Sequence, residues 1–205
     1  MPILPIDSGR YGSKEIREIF EEERRLQYEL DFEAAVARAQ ASLGMIPESA
    51  AQEIAKHATS GKVTLVRVKE LEAASEHDTA AIVEALAELC SESSKPWLHY
   101  GLTSNDVVDT CTSMQMRDAF SIIQPKVSKL AGLLVDKAIK YRQLPAVGRT
   151  HGQHASIIAF GLKFAVWAAE TLLHLQRIEE YKKRFLVCKT LGVVGTGSLM
   201  GDKAI

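Results

Sequence analysis

Apolar residues recur along this chain at steps of three, four and seven, the spacing that lines one face of an α-helix. The first such stretch covers residues 13–43, and its apolar or small positions are Ile16, Ile19, Leu26, Leu30, Ala34, Ala37 and Ala41. This spacing predicts one long helix. Gly44 suits the carboxyl-terminal cap of that helix and Pro47 suits the first turn of the next one, so a break is predicted between them.

Shorter helices are predicted after this break. One runs from Pro47 to about His57, another covers residues 66–74, and a third begins near Asp78. Strand-type alternation is weak and confined to residues 63–68, where it does not outweigh the surrounding helical pattern. The predicted fold class is therefore all-α.

Two longer helices are predicted in the second half of the chain. Ser104 can cap a helix through Phe120, and its apolar stripe continues past Pro125, which either kinks or restarts the helix. Residues 156–190 are predicted to form the other helix, which would be apolar on nearly every face. Such a helix belongs in a buried position, and in so short a chain other subunits would supply part of the cover. We therefore expect an oligomer.

The helical pattern is interrupted at residues 91–105 by serines, Pro96 and Gly101. Serine, proline and glycine clusters of this kind are typical of junctions between structural units. We expect a boundary near residue 95, with a small helical domain at 1–95 and an incomplete helical bundle at 96–205.

The composition excludes several classes of protein. The 205 residues include 25 Lys plus Arg and 26 Asp plus Glu, so no overall positive field attracts nucleic acid or an anionic membrane. Three cysteines without paired metal spacing favour reduced thiols and a cytoplasmic location. Neither an export signal nor a membrane-spanning segment is indicated.

Polar and glycine residues concentrate in four segments between the helices, at residues 8–11, 75–79, 99–106 and 148–154. Taken singly, each has an ordinary structural explanation: Asp78 and Ser104 suit helix caps, and His77 suits a surface histidine. His151 and His154 are three apart, yet no further ligand accompanies them at a usual spacing, so no metal site is expected. The glycine-rich stretch at 192–201 fits neither a phosphate loop nor a dinucleotide motif and is interpreted as a flexible connection.

The order of these segments along the chain and their residue sequences together resemble the motifs of the fumarase and aspartase superfamily. The most specific matches are Ser75-Glu-His-Asp-Thr-Ala-Ala81, Trp97-Leu-His-Tyr-Gly-Leu-Thr-Ser-Asn-Asp106 and Gly148-Arg-Thr-His-Gly-Gln153. The Arg10-Tyr11 pair resembles the adenylosuccinate lyase branch, where a matching pair contacts the nucleotide phosphate. Argininosuccinate lyase and the muconate cycloisomerases share the helical plan and remain alternatives, as does a non-catalytic helical assembly module.

The resemblance implies a β-elimination that needs no cofactor. Adenylosuccinate would give AMP and fumarate, and the succinylated aminoimidazole carboxamide ribotide of purine biosynthesis would lose fumarate in the same way. His151 matches the general acid of the family, and Thr150 would lie beside it against the substrate. His77 and Asp78 match residues that position the substrate and support the acid. Arg149 is either a substrate contact or part of a structural ion pair.

The remaining matched residues would bind the anionic parts of the substrate. Thr103 and Ser104 would hold the carboxylate of the leaving fumarate, while Arg10 and Tyr11 would anchor the phosphate. Arginine suits the phosphate role because its guanidinium donates two parallel hydrogen bonds.

The resemblance also implies parts that this chain lacks. The general base of the family is a serine on a glycine-rich loop whose signature does not occur among the 205 residues. Each active site in the family is built from three subunits of a homotetramer. We therefore expect this chain to be a fragment, or the ordered part, of a longer protein and to be inactive alone.

Overall fold

The fold of the chain, described for residues 11–203 by a computed structural model, consists of helices and one hairpin. The helices are α1 (Lys14–Phe20), α2 (Glu22–Ser42), α3 (Glu48–His57), α4 (Leu65–Ser75), α5 (Asp78–Ala87), α6 (Ser104–Lys140) and α7 (Gly161–Phe185). The strands β1 (Pro145–Thr150) and β2 (Gln153–Ala159) pair antiparallel, and short 3-10 turns lie at Lys95–Trp97 and Gly201–Lys203. The all-α prediction is confirmed, with the hairpin as an addition to it.

The described residues divide into two compact units. One comprises residues 11–116 and 186–203, and the other comprises residues 117–185. The junction predicted near residue 95 lies inside the first unit, and the division into domains at 1–95 and 96–205 stays a prediction.

The core of the first unit forms where α2 packs against α3 and α4 packs against α5. Leu30 of α2 and Leu86 of α5 are fully buried, and Ile54 of α3 joins them. Burying each of these side chains stabilises the fold by roughly 1.5–3 kcal/mol. This core fixes the direction of α5, whose first turn forms part of the candidate site.

The prediction of one helix over residues 13–43 is wrong, because the helix is interrupted at Glu21. Glu21 has extended backbone angles (φ −67°, ψ 148°), which end α1 and allow α2 to begin at Glu22. The Gln115 side chain donates a hydrogen bond to the Ile19 carbonyl at 2.9 Å. Apolar spacing does not reveal this break, since Ile19 in α1 and Leu26 in α2 are both buried.

The prediction of one helix over residues 156–190 is also wrong. Residues Gln153–Ala159 form β2, and α7 begins only at Gly161. The amide of Phe160 donates to the Leu144 carbonyl at 2.7 Å, which closes the open end of the hairpin. Ile157 is 81% exposed, so its apolar character in the sequence did not mark a buried helix position.

Four other predicted elements are confirmed with small shifts of their ends, namely α3, α4, α5 and the start of α6. Pro125 lies inside α6, which continues through it as one helix of 37 residues. No helix within the described residues is both long enough and apolar enough to cross a membrane.

Candidate active site

The first turn of α5 is organised by His77, which is the residue that caps the helix. Its ring nitrogen Nδ1 accepts a hydrogen bond from the Ala80 amide at 3.3 Å. A neutral imidazole whose Nδ1 accepts must carry its proton on Nε2. His77 can therefore present Nε2–H as a donor. Asp78, interpreted from sequence as a cap, instead accepts the Thr79 amide at 2.7 Å.

Ser104 is the first residue of α6, and Thr103 immediately precedes the helix. The Thr103 amide donates to the Asp106 carboxylate at 3.1 Å, which fixes the backbone immediately before the helix. Neither the Thr103 nor the Ser104 hydroxyl is engaged by another described residue. Both hydroxyls are consequently available to a ligand.

The starts of α5 and α6 line one open pocket of about 460 Å³ within the first unit. It is lined by His77, Thr79, Ala80, Val83, Glu84, Ala87, Lys95, Leu98, His99, Leu102, Thr103 and Ser104. The amino-terminal end of a helix carries partial positive charge, so each helix start favours an anion. A pocket bounded by two helix starts is suited to a carboxylate or phosphate.

His99 is a pocket residue to which the sequence assigned no role. Its Nδ1 lies 2.6 Å from a carboxylate oxygen of Glu33, whose side chain is only 3% exposed. The sequence carries a signal for Glu33 but not for its partner, because Glu33 is an acid on the apolar face of α2, between Leu30 and Ala37. An acid at such a position needs a partner in the core.

Lys95 and Glu84 are also pocket residues that sequence reasoning missed. Lys95 pairs with Glu92 and stands in the turn between α5 and the motif at 97–106. That turn is stabilised by Glu53, which accepts hydrogen bonds from the Ser91 hydroxyl at 2.6 Å, from the Ser94 hydroxyl, and from the Ser91 amide at 3.0 Å. These bonds lower the pKa of Glu53 from 4.5 to about 2.

Asp78 lies apart from this pocket. It lines a smaller one beside Arg25 and Glu29, where burial raises the pKa of Glu29 and the Arg25 guanidinium, 3.1 Å away, offsets part of that rise. Tyr11 is exposed, and its predicted partner Arg10 lies outside the described residues. The roles of Asp78, Tyr11 and Arg10 stay predictions.

Thr150 and His151 lie at the tip of the hairpin in the second unit. His151 and Gly152 form a two-residue turn, and both have positive φ, 53° and 75°. Both Thr150 and His151 are exposed, and their position relative to the pocket stays a prediction. Arg149 is exposed as well and has no ion pair with any residue in the described part of the chain.

The three cysteines of the chain are not paired with one another. Cys90 and Cys111 are buried and Cys188 is exposed, and all three are free thiols. Burial raises the pKa of the Cys90 and Cys111 thiols. Between residues 11 and 203, no three His, Cys, Asp or Glu side chains gather as a metal ion would require.

Comparison with known proteins gives a family and several relatives. A family model described as "Lyase" matches residues 9–203. The adenylosuccinate lyase of Methanocaldococcus jannaschii is 46% identical over the whole chain, and that of Pyrococcus abyssi is 45% identical. The N-acetyl-S-(2-succino)cysteine lyase of Dickeya dadantii is 36% identical over 95% of the chain.

Solved structures agree with the sequence comparison. A fumarate lyase from Mesorhizobium sp. BNC1 matches with a TM-score of 0.86 at 33% identity, over 95% of this chain and 47% of its own. The 3-carboxy-cis,cis-muconate lactonizing enzyme of Pseudomonas putida matches with a TM-score of 0.87 at 35% identity, over 94% of this chain and 44% of its own. The chain spans 44% of the length of the Methanocaldococcus relative and 45% of the Pyrococcus one.

Proposed function

This chain belongs to the lyase family of the fumarase and aspartase superfamily, and from that membership we propose that the complete protein releases fumarate from adenylosuccinate to give AMP. The succinylated aminoimidazole carboxamide ribotide is proposed as a second substrate. The observation that carries the proposal is the pocket at the starts of α5 and α6, which suits the carboxylates of a succinyl group.

The chemical difficulty of this reaction is the removal of a weakly acidic proton from the carbon beside a carboxylate. The carbanion that forms places extra negative charge on that carboxylate, so fixed donors must stabilise it. We assign this role to the Thr103 and Ser104 hydroxyls together with the amino-terminal end of α6. The proposed base is the serine of a loop outside these 205 residues.

The second half of the reaction breaks the bond between carbon and nitrogen. The electron pair of the carbanion forms the double bond of fumarate, and the departing nitrogen takes a proton. Histidine suits this donation near neutral pH, and His151 is the proposed general acid, with Thr150 beside it. His77 is proposed to hold the substrate through its Nε2–H, and Asp78 to support that arrangement.

The phosphate of the nucleotide is assigned to Arg10 and Tyr11. The complete protein is proposed to be a cytoplasmic homotetramer that shares its active sites between subunits. Support for association comes from apolar side chains that are exposed on α6 and α7, among them Leu133 and Leu172.

A fumarate-releasing assay on the complete protein tests this proposal. Fumarate formation should be measured with adenylosuccinate, with argininosuccinate and with N-acetyl-S-(2-succino)cysteine as separate substrates. The last compound is included because a 36% identical relative is named for it. Turnover of adenylosuccinate with the highest kcat/KM supports the proposal. Turnover of another compound alone would reassign the substrate, and no release from any of them would favour an assembly module.

A further inference from the structure

Asp106 is the one fully buried acidic residue at the start of α6, with 0% of its surface exposed. A carboxylate in such a position is costly unless its oxygens accept hydrogen bonds. It lies in the first turn of a long helix, where the helix dipole favours negative charge. Asp106 also lies two residues after Ser104, which lines the pocket. The contacts that fix Asp106 therefore also help to fix the position of Ser104.

Three backbone amides donate to this carboxylate. The Thr103 amide is 3.1 Å from Oδ2, the Gly192 amide is 2.9 Å from Oδ2, and the Leu191 amide is 3.3 Å from Oδ1. The first donor belongs to the turn before α6, and the other two belong to a segment far along the sequence. One side chain therefore joins two loops of the first unit.

The two loops also touch directly. Gly192 has φ +73°, and a β-carbon there would lie 3.0 Å from the Gly101 carbonyl oxygen. One turn further along α6, the Thr110 hydroxyl accepts the Lys189 amide at 3.0 Å. The segment at 189–192 is thus fastened along the first two turns of α6. Gly192, the first residue of the stretch interpreted from sequence as a flexible connection, is held by these contacts, and the interpretation of residues 193–201 stays a prediction.

We propose that Asp106 is a positioning residue for the carboxylate-binding end of the pocket. Its carboxylate ties the Leu191–Gly192 segment to the turn that carries Thr103 and Ser104, and so fixes those hydroxyls relative to the bound carboxylate. This inference rests on the proposed function. A merely structural role for Asp106 would weaken the binding of fumarate and AMP alike, whereas a positioning role predicts a selective loss of fumarate binding.

The test uses the complete protein with Asp106→Asn, which keeps the shape of the side chain but replaces one acceptor oxygen by an amide that donates. Dissociation constants for fumarate and for AMP are measured by titration calorimetry. The fumarate constant should rise about 10- to 100-fold, as expected when a charge-assisted hydrogen bond is lost. The AMP constant should change less than about twofold, because the nucleotide is assigned to other residues. Asp136→Asn is the matched control, since Asp136 is an exposed acid on the same helix and makes no contact with the segment at 189–192.

A second variant changes Gly192, whose amide donates to the Asp106 carboxylate. Gly192→Ala strains the backbone and pushes on Gly101, whereas Gly195→Ala has the same left-handed strain, with φ +72°, and open space around its β-carbon. Weaker fumarate binding in Gly192→Ala but not in Gly195→Ala supports the inference. Equal weakening of fumarate and AMP, unchanged fumarate binding in a folded variant, or no fumarate binding by the native protein would overturn it. Failure of the proposed function can be told apart from failure of this inference, because the proposed function is tested by fumarate release from the native protein and this inference by fumarate binding to the variants.

Discussion

His151 has a backbone conformation that is unusual for a residue with a β-carbon. Its φ of 53° is held by the two-residue turn with Gly152 at the tip of the hairpin. Such a conformation costs on the order of 1 kcal/mol and persists where the surrounding structure imposes it. The turn therefore accounts for the conformation of His151, whose role as the general acid stays a prediction.

Replacing His151 by alanine in the complete protein is predicted to lower the rate of fumarate release by about two to four orders of magnitude, because an acid catalyst is lost. The matched control is His154→Ala, which removes an exposed histidine from the same hairpin. The measurement is kcat with adenylosuccinate. Near-native turnover in His151→Ala, or an equal loss in both variants, would remove His151 from this role.

Glu53 gives a prediction about pH. Its pKa is lowered to about 2 in the folded protein, so its hydrogen bonds to Ser91 and Ser94 stabilise the fold above pH 4.5. That stabilisation is lost as the pH falls from 4.5 towards 2. Glu53→Gln should therefore lower the Tm at pH 7, and the difference from the native protein should shrink at pH 3.

The control for Glu53 is Glu48→Gln on the same helix, which removes an exposed first-turn carboxylate whose one hydrogen-bond partner among residues 11–203 is Gln52. It should lower the Tm less than Glu53→Gln at pH 7, because it removes only a weak interaction with the helix dipole. A Tm difference for Glu53→Gln that grows as the pH falls would contradict the assignment.

Much of the candidate site could be predicted at the residue scale, because the residues share motifs with a known family. His77, Thr103 and Ser104 were named from those motifs, and they line one pocket. His99 lies within the same motif, but its role depends on Glu33, which is 66 positions away. The sequence does not reveal such a distant pairing without a fold.

At the scale of elements, the hairpin is the part that helical spacing could not predict. Ile157, Phe160 and Phe164 fit a helical stripe, yet Ile157 belongs to β2 and Phe164 to α7. The signal that marks the hairpin is the pair His151–Gly152, since a glycine in a two-residue loop favours a tight turn. Most other helices were predictable because their buried faces repeat at helical spacing.

The junction between the hairpin and α7 depends on Gly161. A β-carbon at this position would lie 2.4 Å from the Ala138 carbonyl oxygen, so Gly161→Ala should destabilise the protein by about 1–3 kcal/mol through overpacking. Gly132→Ala is the matched substitution, because Gly132 lies inside α6 with open space around it. It should be neutral or stabilise by up to roughly 1 kcal/mol. Urea unfolding measures both, and equal effects would contradict the close packing at Gly161.

At the scale of the whole molecule, several large apolar side chains of the second unit are exposed. Leu133 of α6 and Leu172 of α7 are 53% and 51% exposed, and Trp167 is 50% exposed. Apolar side chains at contiguous surface positions often mark contacts with other proteins, so we expect this surface to be covered in the complete protein. The sequence predicted an oligomer from the same helix, although that helix is shorter than expected.

Charge placed on this surface should weaken association. Leu133→Glu and Leu172→Glu in the complete protein are each predicted to raise the dissociation constant of the assembly at least about tenfold, because the new carboxylate would be buried without a partner. Glu170→Lys, at an exposed polar position of α7, is the control and should leave the assembly intact. Sedimentation velocity measures the species. An unchanged assembly in both leucine variants would place the interface elsewhere.

The most direct test of the account concerns the pocket at the starts of α5 and α6. Fumarate release from adenylosuccinate should be measured for the complete native protein and for Ser104→Ala, with unfolding curves to confirm that the variant is folded. The native protein should release fumarate, and the variant should have a kcat about 10²–10³-fold lower, because a donor to the developing charge is lost. Equal turnover by the two proteins, or none by the native one, would contradict it.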